Sequence, residues 1–92
     1  AAAAASANWA ASKDFYLIIT NAPGDESWPI AATNFILMYK KPKNVTSAKA
    51  AKEFFRWTHT NGKQQAATLG YVPLPPALTQ QIEAYWTKNM AF

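Results

Sequence analysis

The stretch Asn34-Phe35-Ile36-Leu37-Met38-Tyr39 is almost continuously apolar and determines the fold prediction. A short apolar run with aromatic and β-branched residues is typical of a strand covered on both faces, as in a parallel or mixed α/β sheet. Lys40-Lys41-Pro42 follows, and proline ends a strand because its nitrogen carries no hydrogen. We therefore predict a buried strand over residues 34–39.

The residues after this strand predict a helix with an aromatic face. Asn44, Thr46 and Ser47 can each cap its first turn through a side-chain oxygen. Asn61-Gly62 is a strong signal for its end. The apolar positions are spaced by three and four residues, as on one side of a helix. They are Ala50, Ala51, Phe54, Phe55, Trp57 and Thr58.

Two further helices are predicted near the C-terminal end. Residues 63–69 form a short one that closes with Gly70. Prolines forbid helix through residues 71–75, and Pro76 suits the first turn of the last helix. That helix carries the clearest amphipathic stripe in the chain, which we expect to be buried against the sheet. The stripe consists of Leu78, Ile82, Tyr85 and Trp86.

The chain before the predicted strand is less regular. Residues 1–12 are rich in alanine and predict the end of a helix anchored by Trp9. Residues 15–20 fit either a strand or an apolar helical turn, because periodicity does not decide over so short a run. Residues 21–27 form a turn-rich loop. The pattern as a whole predicts an α/β fold with one or two strands covered by three to four helices.

Composition indicates a folded chain with part of its apolar surface uncovered. The 92 residues are 50% hydrophobic, 14% aromatic and 15% charged, which argues against disorder. Four tryptophans in so short a chain suggest that some aromatic surface packs against something absent. The chain opens at Ala1 in helix-forming sequence, so we expect a truncated or processed chain. It has no cysteine, which excludes disulfides and thiolate metal sites.

The net charge of +4 is not expected to mark a nucleic-acid site. Such a surface combines arginines and exposed aromatic residues with its basic side chains, and this chain has only Arg56 as an arginine. The clustered lysines therefore predict a solvated strand end and helix face. They are Lys40, Lys41, Lys43, Lys49 and Lys52.

The sequence contains no set of residues typical of a catalytic or metal-binding site. The acids Asp14, Asp25, Glu26, Glu53 and Glu83 are scattered without useful spacing. His59, the one histidine, is predicted to be a surface or capping residue near a helix C-terminus. The three glycines are too far apart for a phosphate-binding loop. We therefore predict no enzyme activity, no catalytic, metal or phosphate-binding residue in this segment, and no cofactor.

Two features at the start of the aromatic helix are explained by ordinary helix structure. Asn44-Val45-Thr46 has the form of a glycosylation sequon but better fits a helix cap. The first turn, residues 46–48 with Lys43 nearby, offers free N–H groups that oxyanions can bind. Because nearly every helix has such a start, we do not assign an anion site to it.

Seven short motifs stand in an order and at a spacing that resemble a known family. They are Asn8-Trp9, Trp28-Pro29-Ile30, Thr33-Asn34-Phe35-Ile36-Leu37-Met38, Phe54-Phe55-Arg56-Trp57, Asn61-Gly62-Lys63-Gln64-Gln65-Ala66, Tyr71-Val72-Pro73-Leu74-Pro75 and Ile82-Glu83-Ala84-Tyr85-Trp86. Together they resemble the C-terminal third of the bacterial periplasmic phosphate-binding proteins that serve ABC-type importers. The resemblance covers essentially the whole chain. It departs at Arg56 and Gly70, where the family commonly has an acid.

The resemblance implies a two-lobed, type II venus-flytrap fold that closes over one phosphate. Residues 1–30 would be the end of the second-lobe segment and the crossover, and residues 31–92 would complete the first lobe. The family's phosphate ligands lie in the earlier two-thirds, and no position here matches their motifs. The implied partners are inorganic phosphate, held by the missing N-terminal part, an ABC permease in the inner membrane, and the rest of the same polypeptide. The implied location is the periplasm.

One alternative remains open from the sequence. The chain could be a free-standing protein-interaction fragment that uses its aromatic face and basic lysines to bind a partner or an anionic surface. Phosphate delivery by a parent protein and partner binding by a free fragment both require the aromatic surface to be covered.

Overall fold

A computed structural model describes residues 1–90 and residue 92. Within them the regular elements are four α-helices and two 3₁₀ turns. The helices are α1 (Ala2–Ala5), α2 (Val45–Thr60), α3 (Lys63–Thr68) and α4 (Pro76–Asn89), and the 3₁₀ turns are Trp9–Ala11 and Lys13–Phe15.

The predicted strand over residues 34–39 is not confirmed, and this corrects the expected α/β class. Residues 31–39 have neither helix nor strand structure, and no strand occurs among the described residues. A strand exists only when its backbone bonds to a neighbour. Across the described residues, no backbone N–H or C=O of residues 31–43 bonds to another backbone group. The apolar run is present, but no described part of the chain pairs with its backbone.

Residues 15–20 also form neither of the two structures considered for them. Phe15 ends the second 3₁₀ turn, and residues 16–19 have no regular structure. Their packing is nevertheless specific, since Ile19 is buried while Ile18 is exposed. Tertiary contacts therefore fix this stretch without hydrogen-bonded secondary structure.

Helix α2 begins and ends where the sequence predicts. Asn44 is the residue that caps it, and its Oδ1 accepts a hydrogen bond from the Ser47 N–H at 3.0 Å. At the other end, Asn61 is the C-cap. Gly62 is buried, and a Cβ there would lie 3.0 Å from the Cα of Thr58. Close backbone packing therefore explains the glycine at this helix end.

Helix α3 ends at Gly70 for a different reason. Gly70 has a φ of +89°, a left-handed conformation that glycine adopts readily. The Tyr71 N–H donates to the Ala66 carbonyl at 2.9 Å, and the Gly70 N–H to the Ala67 carbonyl at 3.1 Å. These two bonds form a Schellman motif, which satisfies the last carbonyls of α3. Pro76 then starts α4 in its first turn, as predicted.

The core is small and lies between α1 and α4. Trp9 is its largest member, and its Nε1 donates a hydrogen bond to the Ala4 carbonyl at 2.8 Å. The predicted stripe of α4 is confirmed in part, because Leu78 is buried and Ile82 packs against the same cluster. The buried apolar residues are Ala3, Ala4, Trp9, Ile19 and Leu78.

The remaining surface is unusually large and apolar. The accessible area is 6971 Å², whereas a globular protein of 10.1 kDa is expected to expose about 5,300 Å². The radius of gyration is 14.1 Å, against about 12 Å for a compact chain of this length. Both values indicate an extended surface, and the exposed side chains on it include large apolar ones such as Ile30 and Leu37.

Candidate functional site

The most exposed apolar surface is centred on residues 31–39, which we call the unpaired segment. Leu37 is 95% exposed and Tyr39 is 82% exposed. Phe35 and Ile36 are about half exposed. The segment contains no charged residue, no glycine and no proline. Large apolar side chains therefore face solvent next to backbone groups that no other described backbone group contacts through a hydrogen bond.

Two adjoining apolar grooves flank the unpaired segment. The first has a volume of about 300 Å³ and runs between the segment and α4, where Leu78, Ile82 and Trp86 form part of its wall. The second has a volume of about 710 Å³ and is lined in part by Trp57 and Tyr71. Aromatic and aliphatic groups dominate both grooves, so they suit apolar chain rather than a small charged ligand.

Polar contacts among Asp14, Lys40 and Tyr85, which we call the polar tie, hold the chain at the C-terminal end of the unpaired segment. The Nζ of Lys40 lies 2.8 Å from Oδ1 of Asp14, and the Tyr85 hydroxyl donates a hydrogen bond to the same oxygen. The Lys40 ammonium also lies 5.7 Å from the centre of the Tyr85 ring. The hydrogen bond from Lys40 lowers the pKa of Asp14, and the bond to Asp14 raises the pKa of Lys40. Three distant parts of the chain meet at this carboxylate.

The backbone at the polar tie is strained. Asp14 and Phe15 have φ angles of 54° and 59°, in the left-handed region that costs side-chain-bearing residues energy. The Phe15 ring makes an edge contact with the Tyr85 ring, with centroids 5.1 Å apart. This contact and the hydrogen bond to Asp14 together hold the strained turn against α4.

Helices α2 and α4 are joined by an ion-pair network that the sequence did not indicate. The Nε of Arg56 lies 3.0 Å from Oε2 of Glu83, and a guanidinium nitrogen also contacts Glu53. Hydrogen bonds to both acids raise the pKa of Arg56. The one arginine is therefore occupied by carboxylates and is not placed to bind an anion.

His59 lies near a helix C-terminus as predicted, but it is more buried than a surface or capping residue. It lies in the last turn of α2 and is partly buried, with its ring stacked on Trp86. Its Nδ1 is buried and has no hydrogen-bond partner among the described residues. Burial lowers the pKa of His59; the charge of Glu83 opposes this effect, and Lys63 adds to it. A partly buried neutral imidazole fits a packing role.

The remaining candidate residues are not brought together. Asp25 and Glu26 are exposed and take part in no ion pair among the described residues. In the part of the chain that the structure describes, no group of acids and histidine could hold a metal ion. Residues 46–48 are simply the first turn of α2. Among the described helices, none is long and apolar enough to cross a membrane.

Comparison with known proteins gives a consistent result over almost the whole chain. No family model matches it. The chain is 58% identical over 89 residues to the phosphate-binding protein PstS of Xylella fastidiosa strain 9a5c, which covers 97% of this chain and 24% of that protein. It is 44% identical over 85 residues to PstS of Pasteurella multocida, covering 92% of this chain and 25% of the relative. It is 38% identical over 89 residues to PstS of Haemophilus influenzae, covering 97% and 27%.

The chain thus spans about a quarter of the length of the curated relatives it matches, rather than the third expected from the motifs. The predicted resemblance is confirmed by these matches. In sequence, the chain corresponds to the C-terminal portion of the phosphate-binding proteins of the PstS type.

Proposed function

We propose that this chain is a structural segment of a two-lobed periplasmic protein that binds inorganic phosphate and delivers it to an ABC transporter. The similarity to phosphate-binding proteins over 97% of the chain supports this function. Residues 1–30 would end the second-lobe segment and form the crossover, and residues 31–92 would complete the first lobe. The chain would also contribute to the surface that docks the permease.

The unpaired segment is the single observation that carries the proposal. Its residues have the composition of a buried strand, yet they are exposed and their backbone has no backbone partner among the described residues. In the proposed parent protein, this segment would add to the first-lobe sheet, and α2, α3 and α4 would cover that sheet. Burial of this surface would reduce the excess accessible area.

Phosphate itself would be held by the rest of the parent protein. A closed site for a doubly charged oxyanion needs on the order of ten converging donors, including charge-assisted ones. Arg56 is engaged by Glu53 and Glu83, so its guanidinium is not free for this role. We therefore assign no phosphate ligand, catalytic residue or cofactor to this chain. The alternative of a free-standing interaction fragment is not favoured, because the similar proteins are phosphate-binding proteins.

Complementation between two polypeptides tests the proposal. This chain would be co-expressed with the part of the Xylella fastidiosa phosphate-binding protein that precedes the matched region. We expect the two polypeptides to co-purify and to bind inorganic phosphate in calorimetry. We expect neither this chain alone nor a mixture with the double variant I36K/L37K to bind phosphate.

The matched control is Leu69→Lys, which adds a charge at a site 74% exposed outside the unpaired segment. This variant should restore binding as well as the unchanged chain does. Phosphate binding by this chain alone at micromolar concentration would contradict the proposal, and so would failure of the two polypeptides to associate.

A further inference from the structure

We propose that Asn61 is a site of spontaneous deamidation, and that the end of α2 keeps it unreactive for as long as the turn between α2 and α3 stays closed. The inference does not rest on the proposed function. It rests on hydrogen bonds within residues 57–66, which are local and do not involve the unpaired segment.

Asn61-Gly62 is the one Asn-Gly pair in the sequence. In such a pair the glycine backbone nitrogen loses its proton and attacks Cγ, the carbonyl carbon of the asparagine side chain. The new C–N bond closes a succinimide ring, and the side-chain nitrogen leaves as ammonia after it takes up a proton. Water then opens the ring to aspartate or isoaspartate. Glycine permits this attack readily, because it has no side chain to obstruct ring closure.

Packing explains why this reactive pair occurs at the end of α2. Gly62 is buried, and a Cβ at this position would lie 3.0 Å from the Cα of Thr58 and 3.2 Å from the Trp57 ring. Asn61 is the C-cap of the same helix. The close approach of Gly62 to the last turn of α2 therefore requires that a glycine follow Asn61.

The closed turn restrains both groups that the reaction needs. The Gly62 N–H donates to the Trp57 carbonyl at 3.1 Å, and the Gly62 carbonyl accepts from the Ala66 N–H at 3.1 Å. The attacking nitrogen is thus hydrogen-bonded, and its residue is fixed from the side of α3 as well. Asn61 has a helical ψ of −23°. Ring closure requires the Gly62 nitrogen to rotate toward the plane of the Asn61 Cα, Cβ and Cγ atoms, and this ψ holds the nitrogen out of that plane.

Opening of the turn therefore controls the reaction. Helix ends open more often than the middle of a fold, because few bonds have to break. Release of the bonds to the Trp57 carbonyl frees the Gly62 nitrogen and the ψ angle of Asn61 together. The products do not fit the closed turn, because a carboxylate at residue 61 lies at the negative end of the helix dipole and isoaspartate lengthens the main chain. A molecule that has reacted therefore keeps a covalent record of having been open.

Mass spectrometry of the tryptic fragment 57–63, which is bounded by Arg56 and Lys63, tests the proposal. The protein is purified with its complete chain and kept at neutral pH beside a synthetic peptide of residues 57–63. We expect the peptide to deamidate and the folded protein to do so at least about tenfold more slowly, because the turn is open for a small fraction of the time. In urea the protein should react as fast as the peptide. Equal rates for the folded protein and the peptide would overturn the proposal, and so would an unchanged fragment in urea.

Two variants locate the protection at the helix end. Asn61→Gln is the control and should abolish the mass gain of the fragment, because the longer side chain closes a larger ring far more slowly. Thr60→Gly keeps the Asn-Gly pair but loosens the last turn of α2, where the Thr60 hydroxyl bonds to the carbonyls of Arg56 and Trp57. It should raise the rate severalfold while circular dichroism shows the same helix content. A rate in Thr60→Gly equal to that of the unchanged protein would contradict control by the helix end.

Discussion

The imidazole of His59 stacks on the indole of Trp86, with ring centroids 5.7 Å apart and an interplanar angle of 23°. Three residues earlier on each helix, Arg56 bonds to Glu83. Residue numbers increase from the Arg56–Glu83 pair to the His59–Trp86 pair on both α2 and α4, so the two helices face each other in the same chain direction. The sequence pattern indicated neither pair: it placed Trp86 against a sheet and gave Arg56 and Glu83 no partner.

Stability should fall when the solution is made mildly acidic. The pKa of His59 is lowered in the folded protein, whereas the unfolded chain has a pKa near the ordinary 6.5. The unfolded state therefore binds a proton first, and the free energy of unfolding decreases as the pH falls from 6.5 toward the folded-state pKa. Above pH 6.5 this contribution is fully present. Urea denaturation at pH 7.5 and at pH 5.5 measures it.

The variant H59F separates this effect from other titrations. Phenylalanine keeps an aromatic ring on Trp86 and removes the titrating group, so the difference between the two pH values should largely disappear. Asp14 affects stability in a lower pH range. Its pKa is lowered below 3.8, so the stability linked to its ionised carboxylate is lost only under more acidic conditions. An unchanged pH dependence in H59F would contradict the assignment to His59.

Leu78→Ala should be among the most damaging substitutions in the chain. Leu78 is 4% exposed and joins α4 to Trp9 and Ile19 in the core. Truncation of such a side chain costs about 2–5 kcal/mol of unfolding free energy. Leu69→Ala at an exposed site should change it by less than about 0.5 kcal/mol. Denaturant titration compares the two, and similar losses would show that the core is not located at Leu78.

The two glycines at helix ends should respond differently to substitution. Gly70→Ala places a side chain at a φ of +89° in open space, which should cost about 1–2 kcal/mol. Gly70→Asn should cost less, because asparagine tolerates this conformation. At Gly62 the new Cβ meets the Cα of Thr58, so alanine and asparagine should both destabilise the chain by about 1–3 kcal/mol. Thermal unfolding of the four variants distinguishes strain from crowding.

The four tryptophans should separate by their access to a water-soluble quencher. Trp28 is 79% exposed, whereas Trp9 is 4% exposed. Iodide should therefore quench Trp28 readily and Trp9 hardly at all. W28F should lower the readily quenched fluorescence and leave the part due to Trp57, which is 44% exposed, whereas W9F should leave that fluorescence in place. Equal quenching in both variants would show that Trp9 is not in a core.

Local structure was predictable from the sequence because its causes are local. The cap at Asn44, the end of α3 at Gly70 and the start of α4 at Pro76 depend on residues within one or two turns. The strand over residues 34–39 depends on a partner elsewhere, and composition alone cannot supply it. The sequence pattern predicts a covered segment, and the described residues leave it exposed.

The contacts between distant segments were not predictable in this way. Asp14 meets Lys40 and Tyr85, which lie 26 and 71 residues away. Arg56 and Glu83 are 27 residues apart. Periodicity and spacing describe one element at a time, so they do not indicate which exposed acid will face which base. The position of His59 near a helix end was predicted, but its stacking on Trp86 of α4 was not, for the same reason.

The strength of the polar tie at Asp14 depends on the ionic strength of the solution. Its carboxylate and the Lys40 ammonium are each about half exposed, so dissolved ions compete with the bond between them. The apolar contacts of residues 31–39 have no such sensitivity and are strengthened by some salts. Added sulfate therefore weakens the bond between Lys40 and Asp14 at the end of the segment, while it favours apolar contacts between the segment and the rest of the proposed parent protein. Sulfate should therefore promote association of this chain with the preceding part of the proposed parent protein, whereas it weakens assemblies that depend on attraction between charges.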